Sequence, residues 1–262
     1  MNVTQSSKPK FQNYLLPWFD ILAITAWGVL MIKYWVTGEL YLLIHPYYAW
    51  LTIVTGILFL IFGVLKAIEL FREQRRNLAV INNSAGLGHI SLFPPGWSSF
   101  LLLVAAILGL LVSPKIFSSQ TALQRGVADS PVLTRSRPQE FRTSTKSEAR
   151  SLIDWIRTLN VYPEPDAYTG QKVKVQGFVI HPPEFSAQYM LISRFVITCC
   201  AADAYPVGLP VKLTQDRSAF APDTWLEIEG KMITETLGGK RQLTIEATSL
   251  KEIKAPANPY DY

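Results

Sequence analysis

Cysteine and histidine are scarce in this chain: 262 residues contain two of the first and three of the second. Both cysteines are neighbours, Cys199 and Cys200, so no ordinary disulfide framework can form within the chain. A trans peptide holds adjacent Cα atoms about 3.8 Å apart, whereas disulfide geometry wants roughly 4.4–6.8 Å, and a bond between these two would be strained. The two-residue spacing of a CxxC redox motif is missing as well. Three histidines limit any elaborate metal centre. No Ser-His-Asp order or paired-carboxylate site stands out, so no catalytic residue is assigned. Excess charge is also lacking where a binding domain would need it. From residue 114 onward, 18 Lys and Arg face 16 Asp and Glu, a difference of +2. That leaves no electrostatic footprint for a phosphate backbone and excludes nucleic acid as a partner.

Apolar residues are abundant, at 49% of the chain with a mean hydropathy of +0.18, and the excess is concentrated near the N-terminus. Three runs stand out within residues 1–113: 18–36, 47–65 and 97–113. The first two have the length of membrane helices, which need roughly 20 residues to cross a hydrocarbon core of about 30 Å. The third is short but free of charge, and spans if the bilayer thins locally. Trp18, Trp35, Trp50 and Trp97 mark the ends of these runs as an interfacial belt would, which makes the lipid bilayer a partner of the chain. Lys8 and Lys10 precede the first run, and Lys66, Arg72, Arg75 and Arg76 follow the second; the 37–46 connection holds neither Lys nor Arg. Positive residues favour the cytoplasmic side. Three crossings then place everything after Pro114 outside the cytoplasm, and a third run that only dips into the membrane reverses that assignment.

Residues 114–144 read as an extended linker of Ser, Thr, Pro and Arg with scattered apolar side chains. A helix is expected next, capped by Thr145 and Glu148 and presenting Leu152, Ile153, Trp155, Ile156 and Leu159. Five alternating runs follow, at 172–180, 188–198, 207–214, 224–235 and 241–253, with Gly238 and Gly239 as a hairpin turn. Five short strands in so short a stretch predict a small all-β domain over 145–262, a five-stranded OB-like barrel behind one helix, with an open sandwich of the same strands as the alternative.

The segment "FVITCCAADAYPVGLPV" places the two thiols between the second and third strands with a carboxylate close by. Three uses stay open for them. They fit packed thiols at a strand end. They fit ligands for a thiophilic metal, Zn²⁺ or Cu(I), with Asp203 or His181 completing the shell. They fit a redox or thiol-relay pair. Adjacent strand side chains point to opposite faces, so shared coordination requires the backbone to turn at the cysteines.

At "RFVITCCAADAYPVGLPV", together with "DTWLEIEGKM" and "IKAPANPYDY", the chain resembles the DUF1980 family of bacterial membrane proteins. The resemblance singles out Arg194, Cys199, Cys200, Asp203, Pro206, Gly208, Trp225, Gly230, Pro256, Pro259 and Tyr260. Members of that family accompany a larger multi-spanning permease. The resemblance therefore implies an accessory subunit of such a complex, multi-pass in a bacterial inner or plasma membrane and handling a metal ion or small solute through its external domain. A stand-alone membrane-tethered thiol or metal-binding protein, or a structural subunit of a membrane assembly, are the competing readings.

Overall fold

The computed structural model describes residues 10–76, 96–127 and 147–262. Thr145 and residues 128–144 of the expected linker lie outside these. The chain divides into two compact units, Met1–Pro114 and Lys115–Tyr262.

The first unit is helical: α1 (Lys10–Val36), α2 (Pro46–Arg76) and α3 (Trp97–Leu111). Within them, Pro17–Val36 (20 residues) and Pro46–Arg72 (27 residues) are long and apolar enough to cross a membrane, holding 18-residue stretches of mean hydropathy 1.5 and 2.4. The 15 residues of α3 extend about 22 Å at 1.5 Å each, short of a typical hydrocarbon core. Small residues let α1 and α2 approach closely: a Cβ on Gly63 would stand 2.4 Å from Oγ1 of Thr25. Polar side chains of α1 close the open end of α3. Tyr34 donates to the Gly109 carbonyl at 2.7 Å and Lys33 to that of Leu110 at 2.9 Å, groups that a helix C-terminus leaves without intrahelical partners. Asp20 accepts a hydrogen bond from Ser99.

The second unit is built on β1 (Lys172–Ile180), β2 (Tyr189–Val196), β3 (Tyr205–Lys212), β4 (Trp225–Leu237), β5 (Lys240–Glu252) and β6 (Tyr260–Asp261), with short helices α4 (Ser119–Gln124) and α5 (Leu152–Val161). The strands form one sheet in the order β1-β4-β5-β3-β2-β6, and β1 also pairs with β2 through residues 178–180 and 191–193. Pairing is antiparallel except for β3 with β5 and β2 with β6. This corrects the expected all-β domain with its five-stranded OB-like barrel: a mixed six-stranded sheet stands in its place, with helices α4 and α5 in the same unit. The sixth strand escaped notice because two residues in a proline-containing tail are too few for an alternating pattern to show.

Residues 115–127, which fall in the expected linker, belong to this unit. Phe117 packs on Phe195 and Tyr260, and the Ser119 amide donates to Asp223. The expected cap is also displaced. Helix α5 begins at Leu152, and Ser151 and Asp154 form the reciprocal capping box. Its apolar face, Leu152, Ile153, Trp155 and Ile156, is buried with Val175, Ile192, Leu226, Ile228 and Ile245 in the core. Two glycines permit the sheet's bends. A Cβ on Gly177 would meet the Ser193 carbonyl at 2.5 Å, where β1 gains β2 as a neighbour, and one on Gly230 would meet that of Glu246 at 2.1 Å, opposite a bulge that leaves Thr248 of β5 out of the pairing.

Candidate functional site

Strand β2 carries the chain towards the cysteines. Its last residues pair with β6, Phe195 with Tyr260 and Val196 with Asp261, and the Ile197 amide continues the contact by donating to the Asp261 carbonyl at 3.0 Å. After this anchor the backbone bends at Thr198 and Cys199, makes a 3-10 turn over Ala201–Asp203 and enters β3.

The bend is held by Asp203. One carboxylate oxygen accepts from the Thr198 hydroxyl and, at 2.8 Å, from the Cys199 amide; the other accepts from the Cys200 amide at 3.2 Å. The Asp203 amide in turn donates to the Cys200 carbonyl at 3.0 Å. This is how two neighbouring side chains that a regular strand would send to opposite faces are brought together: their sulfurs lie 3.6 Å apart. Both cysteines are free, Cys199 exposed and Cys200 half-buried. The sulfurs and a carboxylate oxygen of Asp203 all lie within 4.8 Å of one another, a cluster able to hold a metal ion.

Electrostatics separate the three roles open to the thiols. Burial pushes the Asp203 carboxyl up, but the donors from Thr198, Cys199 and Cys200 outweigh it and hold the group below the usual carboxylate range. The ionised Asp203 and the neighbouring Cys200 push the Cys199 thiol up to about 11. A thiol so raised is protonated at neutral pH and a weak nucleophile, which counts against a redox or relay pair. A bound cation reverses that balance by favouring the thiolate.

His181 is placed differently. It follows β1, and burial together with Arg217 holds its imidazole below the usual histidine range. The metal-competent group among the described residues comprises Cys199, Cys200 and Asp203, without His181.

Most of the remaining family positions gather at a second feature behind the thiol bend, while Gly230 lies apart on β4 against β5. Arg194 meets Asp261 at 3.4 Å, donates to the Asn258 carbonyl at 3.0 Å and lies 5.7 Å from the Trp225 ring centre. Trp225 packs on Phe178, and Phe178 stacks on Phe195, which also meets Tyr260 edge-on. Pro206 pairs with Phe195 and Gly208 with Ser193 across β2 and β3. Pro259 is buried beside Tyr260, whereas Pro256 is half-buried. These residues fasten the tail and the end of β2. In the other unit Trp35, Trp50 and Trp97 are exposed, and Trp18 packs edge-on against Phe71.

Sequence reasoning missed Thr198 and Asp261. A Thr and an Asp bracketing a short run of small residues is the pattern of side chains that bond nearby amides and would have revealed the brace. Asp261 carried no local signal, since its partner Arg194 is far away in sequence.

Models of the DUF1980 N-terminal domain and the DUF1980 C-terminal domain match residues 19–128 and 145–262. The UPF0703 protein YcgQ of Bacillus subtilis (strain 168) is 25% identical over 104 residues, covering 39% of this chain and 36% of that protein. The aligned part thus spans about a third of the relative's length. Both halves of the chain, helical and sheet-bearing, match their domain models, and the chain belongs to the DUF1980 family.

Proposed function

We propose that this chain is an accessory subunit of a bacterial membrane permease complex, and that its sheet-bearing unit presents a thiophilic metal ion, Zn²⁺ or Cu(I), or a small solute to that complex from outside the cytoplasm. The observation that carries this reading is the pair of free thiols 3.6 Å apart on an exposed bend, in a chain whose α1 and α2 are long and apolar enough to cross a membrane. Large apolar side chains of α1 and α2, such as Leu22, Val29, Leu51 and Phe62, face outward and suit lipid or a partner's helices. In this mechanism α1 and α2 cross, α3 completes a third crossing, and Cys199 and Cys200 act as transient ligands that the sheet orients. No covalent chemistry is asked of them.

A stand-alone membrane-tethered metal-binding protein is the second reading, favoured by the fact that both sulfurs and the braced carboxylate come from this chain. A purely structural subunit would have no use for the thiols.

Gentle solubilisation and affinity capture of the full chain separate these readings. The accessory-subunit reading expects a multi-spanning protein to elute with it in fixed ratio. A chain that elutes alone yet carries metal removes the permease from the account. The side of the membrane is tested by labelling intact cells with a membrane-impermeant maleimide, with a C199S/C200S blank and a permeabilised, denatured control. Label acquired only after permeabilisation would place the unit inside.

A further inference from the structure

We infer that Cys199 and Cys200 form a half-site for a tetrahedral divalent ion of the zinc type: the two sulfurs supply two ligands, Asp203 braces the bend, and two coordination positions are left to donors from outside this bend. This rests on the metal-handling reading above and specifies it.

The first argument is the bite of the sulfurs. Two thiolates on a tetrahedral zinc, each at about 2.3 Å, stand about 3.8 Å from one another. A linear two-coordinate ion would set them near twice the bond length, about 4.6 Å apart for bonds of the same length. The observed separation is 3.6 Å, within reach of the tetrahedral arrangement and about an ångström short of the linear one.

The second argument is what Asp203 already does. Its two oxygens take three hydrogen bonds, from the Thr198 hydroxyl and the amides of Cys199 and Cys200. Turning the carboxylate onto an ion would release the amides that keep the two sulfurs on one side. Asp203 is therefore a positioning residue, comparable to the outer carboxylates that orient ligands at metal centres.

The third argument is completeness. Structural zinc sites are closed by four protein ligands, whereas sites that act on an incoming group keep positions open. Among the described residues no histidine or further acid joins the cluster, and Cys199 is exposed. A site with two ligands on an exposed bend holds its ion loosely and can pass it to a molecule that supplies the others.

The test is a titration of the reduced full-length protein in detergent with Co²⁺, a spectroscopic stand-in for zinc. The expected result is one ion per chain, with a sulfur-to-cobalt charge-transfer band and the visible bands of a tetrahedral ion. The band should be lost in C199S and in C200S. Imidazole added to the loaded protein should shift the visible bands as it enters the open positions. Asp203→Asn should keep the band while weakening affinity by about tenfold or more. Absence of the charge-transfer band, bands indifferent to imidazole, or visible bands in Asp203→Asn that report a changed ligand set would each overturn the assignment. Its failure is distinguishable from failure of the permease reading. A chain that purifies alone but gives this spectrum loses the permease and keeps the half-site; a chain that brings a multi-spanning partner but stays spectrally silent does the reverse.

Discussion

The two units use large and small side chains in opposite ways. In the helical unit Ala23, Ala49 and Ala106 are buried beside only a few large residues, Ile21, Leu30 and Leu40, while Leu22, Val29, Trp50, Ile57, Phe62 and Leu108 face outward. In the sheet-bearing unit the largest residues are inside, with Trp155, Tyr260, Phe195, Met190 and Ile228 almost wholly buried. Water as the surrounding solvent drives bulky apolar groups inward. In lipid that force is absent, and helices pair through small residues that let backbones approach, as at Gly63 against Thr25. The inversion in where large side chains lie is consistent with membrane anchoring of the helical unit through α1 and α2.

Tryptophan substitution tests that inversion most severely. Trp155 is 0% exposed, with the Arg150 guanidinium 4.8 Å from its ring centre and Tyr168 edge-on at 6.1 Å. Trp155→Ala should lower the stability of the sheet-bearing unit by about 3–5 kcal/mol. Trp50 is 58% exposed, and Trp50→Ala should change the helical unit by no more than about 0.5 kcal/mol. Thermal melts of full-length variants in detergent, followed by limited proteolysis of each unit, measure both. Equal losses would break the comparison.

The next effect is expected where the sheet-bearing unit breaks its own rule by covering charge. Arg194 and Asp261 have side chains only 15% and 17% exposed, and one atom of each, Nε and Oδ2, is buried without a hydrogen-bond partner among the described residues. Asp261→Ala should cost about 3 kcal/mol, near the low end for breaking a buried pair, because the Asn258 carbonyl and the Trp225 ring still hold the guanidinium. The double variant Arg194→Met with Asp261→Leu should recover most of that loss. Burial raises the Asp261 carboxyl above its ordinary value, outweighing Arg194 and Arg157. A raised folded-state value means that its contribution is fully present below the unfolded value of 3.8 and is lost as pH rises through the folded one. The cost of Asp261→Ala should therefore be larger in acid than at neutral pH. A cost that shrinks on acidification would show the Arg194 charge to dominate.

Much of this architecture was legible in sequence where one local pattern decides it. The apolar runs became α1 to α3, and strands β1 to β5 start and end within about two residues of the alternating stretches, with Gly238 and Gly239 at positive φ in the hairpin turn. What was not legible depends on contacts distant in sequence. The tail becomes β6 because Arg194, Phe195 and Phe117 receive it, and no property of "NPYDY" announces that. The same holds for residues 115–127, whose polar composition suggests a linker until Asp223 and Tyr260 are seen to bind their amides. At the site, the grouping of Cys199, Cys200 and Asp203 could be anticipated from a bend-permitting sequence, whereas the hydrogen bonds that commit Asp203 to the backbone could not. The suggested role of His181 failed to gain support from proximity for the same reason: strand ends near in sequence order need not meet.

The smallest effect on folding belongs to the exposed bend, and its chemistry is the finest test of the contrast between the units' packed and open surfaces. Cys199→Ser should leave the melting temperature nearly unchanged at neutral pH, since the side chain is exposed and a serine hydroxyl keeps a donor toward Asp203. Its reactivity should nevertheless be distinctive. Asp203 and Cys200 raise the thiol to about 11 from an ordinary 9.0, so at pH 8 its thiolate is roughly a hundredfold scarcer than that of an unperturbed thiol. Alkylation of Cys199 in a C200S background, which removes only the smaller neighbour, should therefore rise tenfold per pH unit well beyond pH 9. Asp203→Asn in the same background should bring the midpoint down and speed the reaction at pH 8, because the negative charge that keeps the proton in place is gone. By linkage, the raised value contributes stability below pH 9 that disappears as pH rises through about 11, and Asp203→Asn should flatten this alkaline loss. An alkylation profile that Asp203→Asn does not move would mean that the carboxylate braces the bend without governing the proton on its sulfur.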